Sequence, residues 1–230
     1  TSYQPQVPRQ QISHQKVVLD NAFYFQGKGH LTLTTGWQLS ERKEFADVTQ
    51  PDIPGLYFHL QTITYDVKYF LPSKHNWQTT FGIGGMQQRN VNSGTEVLIP
   101  AYSFFDLGGF VYTKKTYKKA AISGGLRFDN RNLMSHYLEL DESTKFEAFK
   151  KTFANVSASL GVTYDLTKAV TAKFNISRGF RAPNIAELGA NGVHEGTIKY
   201  EYGNTGLSSE TSFQVDGGID INTEHFTFSG

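Results

Sequence analysis

From residue 169 to residue 178 the side chains alternate without a break. Val170, Ala172, Phe174 and Ile176 fall on one side, and Thr171, Lys173, Asn175 and Ser177 on the other. A period of two marks an extended strand with one apolar and one polar face. The pattern recurs: Val156, Ala158, Leu160, Val162 and Tyr164 oppose Asn155, Ser157, Ser159 and Thr163. Phe213, Val215, Ile219 and Ile221 oppose Gln214, Asp216 and Asp220, and Leu31, Leu33, Trp37 and Leu39 oppose Thr32, Thr34, Gln38 and Ser40. Most runs reach the ~9–11 residues that a tilted strand needs to cross a bilayer. Strands of soluble domains are commonly ~5–6 residues long.

The spacing predicts strands at 16–26, 29–44, 56–70, 77–89, 101–114, 119–128, 151–165, 169–179, 208–221 and 225–230. In the third, the apolar phase slips between Leu60 and Ile63, and a β-bulge near Gln61 is expected there. Short turns are predicted at Gly27-Lys28, 72–76, 115–118, Thr167-Lys168 and 222–224. Long polar segments are predicted at 45–55, 90–100, 129–150 and 180–207. Short and long connections therefore alternate, as in outer-membrane barrels with short periplasmic turns and long extracellular loops. A soluble β-sandwich alternates along its strands too, but has no reason to alternate its loop lengths. Phe23, Phe25, Tyr69, Phe70, Trp77, Tyr112 and Tyr117 crowd the short turns, as an interfacial aromatic girdle would. The turns Gly27-Lys28 and Thr167-Lys168 are expected at one end of the sheet.

Composition closes other routes. Lys and Arg number 22 against 21 Asp and Glu, a balance that gives no reason to expect nucleic acid. No run approaches the ~18 apolar residues of a spanning helix. The chain has no cysteine, so it offers neither a disulfide scaffold nor a thiolate metal site. Residues 1–15 are polar, without the apolar run of a secretory signal. The last residues stop in mid-alternation at Phe228, so both ends are expected to be cuts in a longer polypeptide.

The glycine pairs Gly84-Gly85, Gly108-Gly109, Gly124-Gly125 and Gly217-Gly218 lie within predicted strands. A phosphate-cradling loop would need a following helix, so curvature or close approach of another segment is the better reading. The seven histidines are scattered, and no metal-ligand or catalytic set assembles from the spacing. No cofactor is expected. His194 and Glu195 lie in a long loop and are candidates for facing a ligand. The charged run 139–150 reads as a solvated loop with at most a helical turn.

The most informative stretch is 177–211, SRGFRAPNIAELGANGVHEGTIKYEYGNTGLSSET. Phe180 continues the apolar face of the eighth strand to its outer rim, and Arg181 falls on the polar, lumen side. Asn184 and Glu187 are spaced as a capping pair for one helical turn. Gly189, Gly192, Gly196, Gly203 and Gly206 are expected to break regular structure beyond it. Glu210, counted back by twos from Gln214, faces the lumen and is expected to meet Arg181.

This stretch resembles the barrel signature of TonB-dependent outer-membrane receptors. Arg178, Gly179, Phe180, Arg181 and Pro183 stand in its first block, Glu187 and Leu188 in its second, and Asn204 and Glu210 in the glycine-asparagine and strand-restart positions. Ser209 stands where the family has proline, and Gly189 where a bulky residue is common. The resemblance implies that 1–230 is part of an all-β, antiparallel, up-and-down transmembrane β-barrel. The about nine to ten strands counted here would belong to a barrel of about 22, with the plug domain and TonB box outside this sequence. It implies a bacterial outer-membrane receptor importing a scarce ligand, such as an iron–siderophore, haem, cobalamin or another metal complex. TonB would act through the missing plug, and outer-membrane lipid would surround the barrel. An outer-membrane protease or other barrel enzyme, and a passive porin or adhesin, are the competing readings. The first would need acid–base residues clustered on loops, which the sequence does not offer, so the chain is expected not to be an enzyme.

Overall fold

The computed structural model describes residues 7–194 and 199–230. Ten strands form one antiparallel sheet. They are β1 (Arg9–Phe25), β2 (Gly29–Phe45), β3 (Leu56–Phe70), β4 (Trp77–Asn92), β5 (Tyr102–Thr116), β6 (Ala120–Ser135), β9 (Lys150–Asp165), β10 (Val170–Arg181), β13 (Glu210–Asn222) and β14 (Thr227–Ser229). Two small hairpins lie outside it, β7 (Leu138–Leu140) with β8 (Ser143–Phe146), and β11 (Asn191–His194) with β12 (Lys199–Tyr202). One short helix, α1 (Ile185–Gly189), follows β10. In the large sheet each strand pairs with the strand before and after it, so the expected up-and-down meander is present. The turns at Gly27-Lys28 and Thr167-Lys168 accordingly share one end.

The ladders also show tilt. One pairing row runs Phe23, Leu31, Tyr69, Phe81, Val111, Leu126, Ala158, Arg178, Phe213. It starts beside the short-turn end of β1 and finishes beside the long-loop end of β13. Such a steady climb is the stagger of tilted strands that wrap a barrel.

Counting by twos through the ladders separates two faces. Phe81, Ile83, Leu126, Phe128, Leu160, Phe174, Val215 and Ile219 lie exposed on one, with Phe174 at 51%. Val170 and Ile176 share this face. The other face carries Lys173, Asn175, Gln214 and Asp216, with Asn175 and Gln214 both donating to the Asp216 carboxylate. It also carries charges that neutralise one another. Arg131 makes a two-pronged contact with Asp106 at 2.7 and 2.6 Å, Arg127 meets Asp129, and Lys68 meets Asp66 at 2.7 Å. Gly108 makes room for this ladder, since a Cβ there would stand 2.0 Å from the Asp129 carboxylate. A sheet with one face of bare apolar side chains and one of paired polar groups suits a wall between hydrocarbon and an aqueous lumen.

At the long-loop end the polarity inverts. Tyr102, Leu133 and Phe153, on the lumen face, are buried together with Ile185 and Leu188 of α1. Leu60 and Phe104 pack against the same cluster. On the opposite face the corresponding positions are Gln61, Ser103, Asn132 and Thr152. This inversion corrects the expected bulge near Gln61. The pairing of β3 runs unbroken from Leu39↔Gln61 to Trp37↔Ile63 on one side and from Gln61↔Arg89 to Ile63↔Gln87 on the other. The apolar phase changes because the covering changes, from lipid outside to folded loop inside, and not because the backbone slips.

Other boundaries also move. β1 begins at Arg9 and β6 continues to Ser135, because outside the membrane a strand needs only a pairing partner and not an apolar face. The run 139–150 is not an unstructured loop. It contains the hairpin β7–β8, turned at Asp141 and Glu142 with φ of 50° and 59°, the left-handed pair of a tight hairpin. Nor do the glycines after α1 abolish regular structure, since β11 and β12 form there.

Candidate ligand-facing site

β10 ends at Arg181, and the chain then turns inward over the lumen face. Pro183 is buried, and Asn184 caps α1. The Asn184 side chain accepts from the Glu187 N–H at 3.0 Å, and the Glu187 carboxylate accepts from the Asn184 N–H at 2.9 Å. This is the reciprocal capping box that the spacing predicts. A helix of five residues has too few hydrogen bonds to persist alone. It is held by Ile185 and by Leu188, which is 0% exposed in the cluster with Tyr102, Leu133 and Phe153.

Arg181 ties this helix to the next strand. Its guanidinium meets both Glu187 oxygens at 2.8 and 2.9 Å and both Glu210 oxygens at 3.1 and 2.8 Å. Glu210 opens β13 directly opposite Arg181 in the ladder. The Arg181–Glu210 contact expected from counting by twos is therefore present, and Glu187 joins it. Hydrogen bonding from Arg181, and next from the Asn184 amide, holds the Glu187 carboxyl below its ordinary value.

The far half of the signature returns to the same place. The Asn204 N–H donates to the Glu187 carbonyl at 2.8 Å, and the Gly203 N–H to the Ala190 carbonyl at 2.7 Å. Gly203 lies so close to the helix end that a Cβ would stand 2.4 Å from the Gly189 nitrogen. The Asn204 side chain accepts from Gly206 N–H at 2.8 Å, shaping the turn toward β13. Thus Arg181, Pro183, Glu187, Leu188, Asn204 and Glu210 converge on α1. Gly179 lies on the lumen face beside Ser212. Phe180 is half-buried on the opposite face, and Arg178 shares that face, donating to the Val156 carbonyl.

Of the two ligand candidates, His194 closes β11 opposite Lys199, and Glu195 lies outside the described residues. Among the described residues no group of three or more His, Cys, Asp or Glu is spaced to hold a metal ion. Sequence reasoning missed the apolar seat of α1. The signal was there as the phase change at Leu60. Two clefts flank the seat. One, of about 340 Å³, is lined by Leu56, Phe58, Leu98, Ile99 and Tyr102, with Arg42 beside them. The other, of about 670 Å³, lies between Lys145, Phe149, Leu188, Tyr202 and Asn204.

The family described as TonB dependent receptor-like, β-barrel, matches residues 20–230. No curated protein sequence matches the chain significantly. Solved structures share its fold. The FrpB iron transporter from Neisseria meningitidis (F5-1 variant) superposes with a TM-score of 0.71 at 13% identity, covering 96% of this chain and 36% of that one. The siderophore receptor PirA from Acinetobacter baumannii gives a TM-score of 0.70 at 17% identity, covering 96% and 34%. The Serratia marcescens hemophore receptor HasR, in complex with its hemophore HasA and heme, gives 0.71 at 13% identity, covering 95% and 38%. The chain therefore spans about a third of the length of the solved structures it matches.

Proposed function

From the premise that this chain belongs to the TonB-dependent receptor β-barrel family, we propose that it supplies part of the wall and ligand-gripping loops of an active importer. As a member of that family the chain is part of a bacterial outer-membrane barrel. Its parent takes up a scarce metal complex, of the iron–siderophore, haem or cobalamin kind, with energy delivered by TonB through a plug domain. The residues 1–230 form one stretch of the barrel, which closes at about 22 strands. The solved structures of like fold are described as an iron transporter, a siderophore receptor and a hemophore receptor, in keeping with this reading.

One observation carries the proposal. The loop between β10 and β13 is folded inward over the lumen face and tied down at Arg181, beside two clefts of a size that suits a compact ligand. A segment fixed in this way can present those clefts to a ligand entering the lumen. The residues of the signature build this hold and offer no reacting group, so their role is structural. The test is uptake of radiolabelled ligand by cells carrying the parent receptor. Binding should persist without TonB while import stops. Import that is unchanged in a TonB-deficient strain would favour a passive pore.

A further inference from the structure

The two ends of the sheet differ in charge. The short-turn segments 26–29, 71–76, 114–119, 165–169 and 223–226 hold seven lysines against two acids, Asp165 and Glu224. The long-loop segments 46–55, 93–101, 136–149 and 182–209 hold two lysines against ten acids. The chain as a whole carries a net charge of +1, so the positive surplus belongs to the short-turn end and not to the chain at large. In an outer-membrane barrel the short turns face the periplasm.

The lysines are laid out turn by turn. Lys28 lies between β1 and β2, Lys74 between β3 and β4, Lys118 and Lys119 between β5 and β6, and Lys168 between β9 and β10. Each stands past the last rung of its strand ladder, at Phe25↔Gly29, Phe70↔Thr80, Thr116↔Ala121 and Thr171↔Asp165. Successive turns are two strand spacings apart, about 10 Å, so the four turns make a row of about 30 Å. All five lysines are exposed, and among the described residues none is in an ion pair. Lys115 differs from them. It lies near the end of β5, over Trp77 at 5.3 Å and Tyr117 at 5.8 Å, and donates to the His75 carbonyl at 2.6 Å.

We propose that this row binds the carboxylates of peptidoglycan, the glycan–peptide polymer that underlies an outer membrane, and so seats the barrel on it. A cation in every short turn from β1 to β10, at even spacing, matches an extended polymer whose anionic group repeats. A docked acidic protein would need an apolar centre to its interface. The residues flanking these lysines, such as Gly27, Ser73, His75 and Thr167, are small or polar, Tyr117 excepted. The row also lies past the aromatic residues that mark the membrane surface, where Lys115 is already engaged. The inference goes beyond import and stands whether or not the barrel carries a metal complex.

The experiment pellets the full receptor, held in phosphatidylcholine nanodiscs, with purified sacculi free of protein and lipid. In K28Q/K74Q/K118Q/K119Q/K168Q the affinity should fall on the order of tenfold. The arginine counterpart K28R/K74R/K118R/K119R/K168R should bind as wild type does, and K115Q should stay within roughly twofold of it. Sacculi with amidated carboxyls should bind wild type as weakly as native sacculi bind the glutamine variant. If that variant does not assemble, K28Q/K74Q and K118Q/K119Q/K168Q are read in the same way. Equal pelleting of wild type and the glutamine variant would overturn the proposal, as would equal pelleting with amidated sacculi or an equal loss in K115Q. Loss of pelleting in phosphatidylglycerol nanodiscs would overturn it too, since headgroups would then hold the lysines. Tighter binding of polyglutamate than of soluble peptidoglycan fragments, at matched carboxylate concentration, would assign the row to an acidic protein instead.

Discussion

The strands of this sheet follow one rule in their lower part and the opposite rule at the long-loop end. In the lower part, Phe174, Val215 and Ile219 point away from the lumen and Lys173, Asn175 and Asp216 toward it. At the long-loop end, Leu60, Tyr102, Leu133 and Phe153 point toward the lumen and Gln61, Arg89, Ser103 and Lys150 away. The backbone register is the same throughout. What differs is the medium on each side. Hydrocarbon demands apolar side chains below, and above it the apolar demand comes from α1 folded inside. Apolar alternation in a barrel strand therefore reports what covers each face, and a change of phase can mark the membrane boundary as readily as a bulge.

The largest effect expected from breaking this contrast is at Phe174. Phe174→Arg puts a charge on the lipid face, at a cost of about 4 kcal/mol near the bilayer mid-plane. It should abolish assembly of the full receptor, read as loss of the heat-modifiable folded band, while Lys173→Gln on the lumen face should assemble normally. Equal yields would remove the lower rule. Next is Leu188→Ala, which empties part of the seat under α1. It should release the helix by about 2 kcal/mol, at the low end for a buried leucine because a short helix can relax. Backbone hydrogen exchange should rise over 185–190 with the sheet unchanged.

The smallest effect is that of acid. Because Arg181 and the Asn184 amide hold the Glu187 carboxyl below its ordinary value, the carboxylate stabilises the docked helix above the usual Glu range. That contribution is lost as pH falls through the lowered value, so α1 should loosen only in acid. Glu187→Gln should make exchange over α1, corrected for its intrinsic rate, insensitive to pH in that window. A loop equally loose at neutral and acid pH would mean the contact at Arg181 does not restrain it.

Much of this was legible beforehand, and for identifiable reasons. The meander follows from the period of two and from alternating loop lengths, which depend only on near neighbours. The Arg181–Glu210 contact was reachable because both residues count cleanly from an unbroken strand, and the Asn184–Glu187 cap because its spacing is local. The seat of α1 was not reachable. It joins Tyr102, Leu133, Phe153 and Leu188, which come from four separate elements and meet only once the sheet exists. Glu142 hid the β7–β8 hairpin, because glutamate, unlike Asp141, is not a usual occupant of the left-handed turn that both adopt.

The most direct test of the inversion is a single-cysteine scan along β3 in the full receptor, which is clean over this stretch because the chain has no native cysteine. Spin labels at positions 57–69 would be read for collision with oxygen, which partitions into lipid, and with a polar nickel complex, which does not. The expected result is lipid-type accessibility at 63, 65, 67 and 69, water-type accessibility at 59 and 61, and no lipid-type accessibility at 58 and 60, which face α1 and the cleft beside it. Lipid-type accessibility at 58 and 60 would contradict it, for the strand would then have slipped by one residue near Gln61 and the faces would have exchanged.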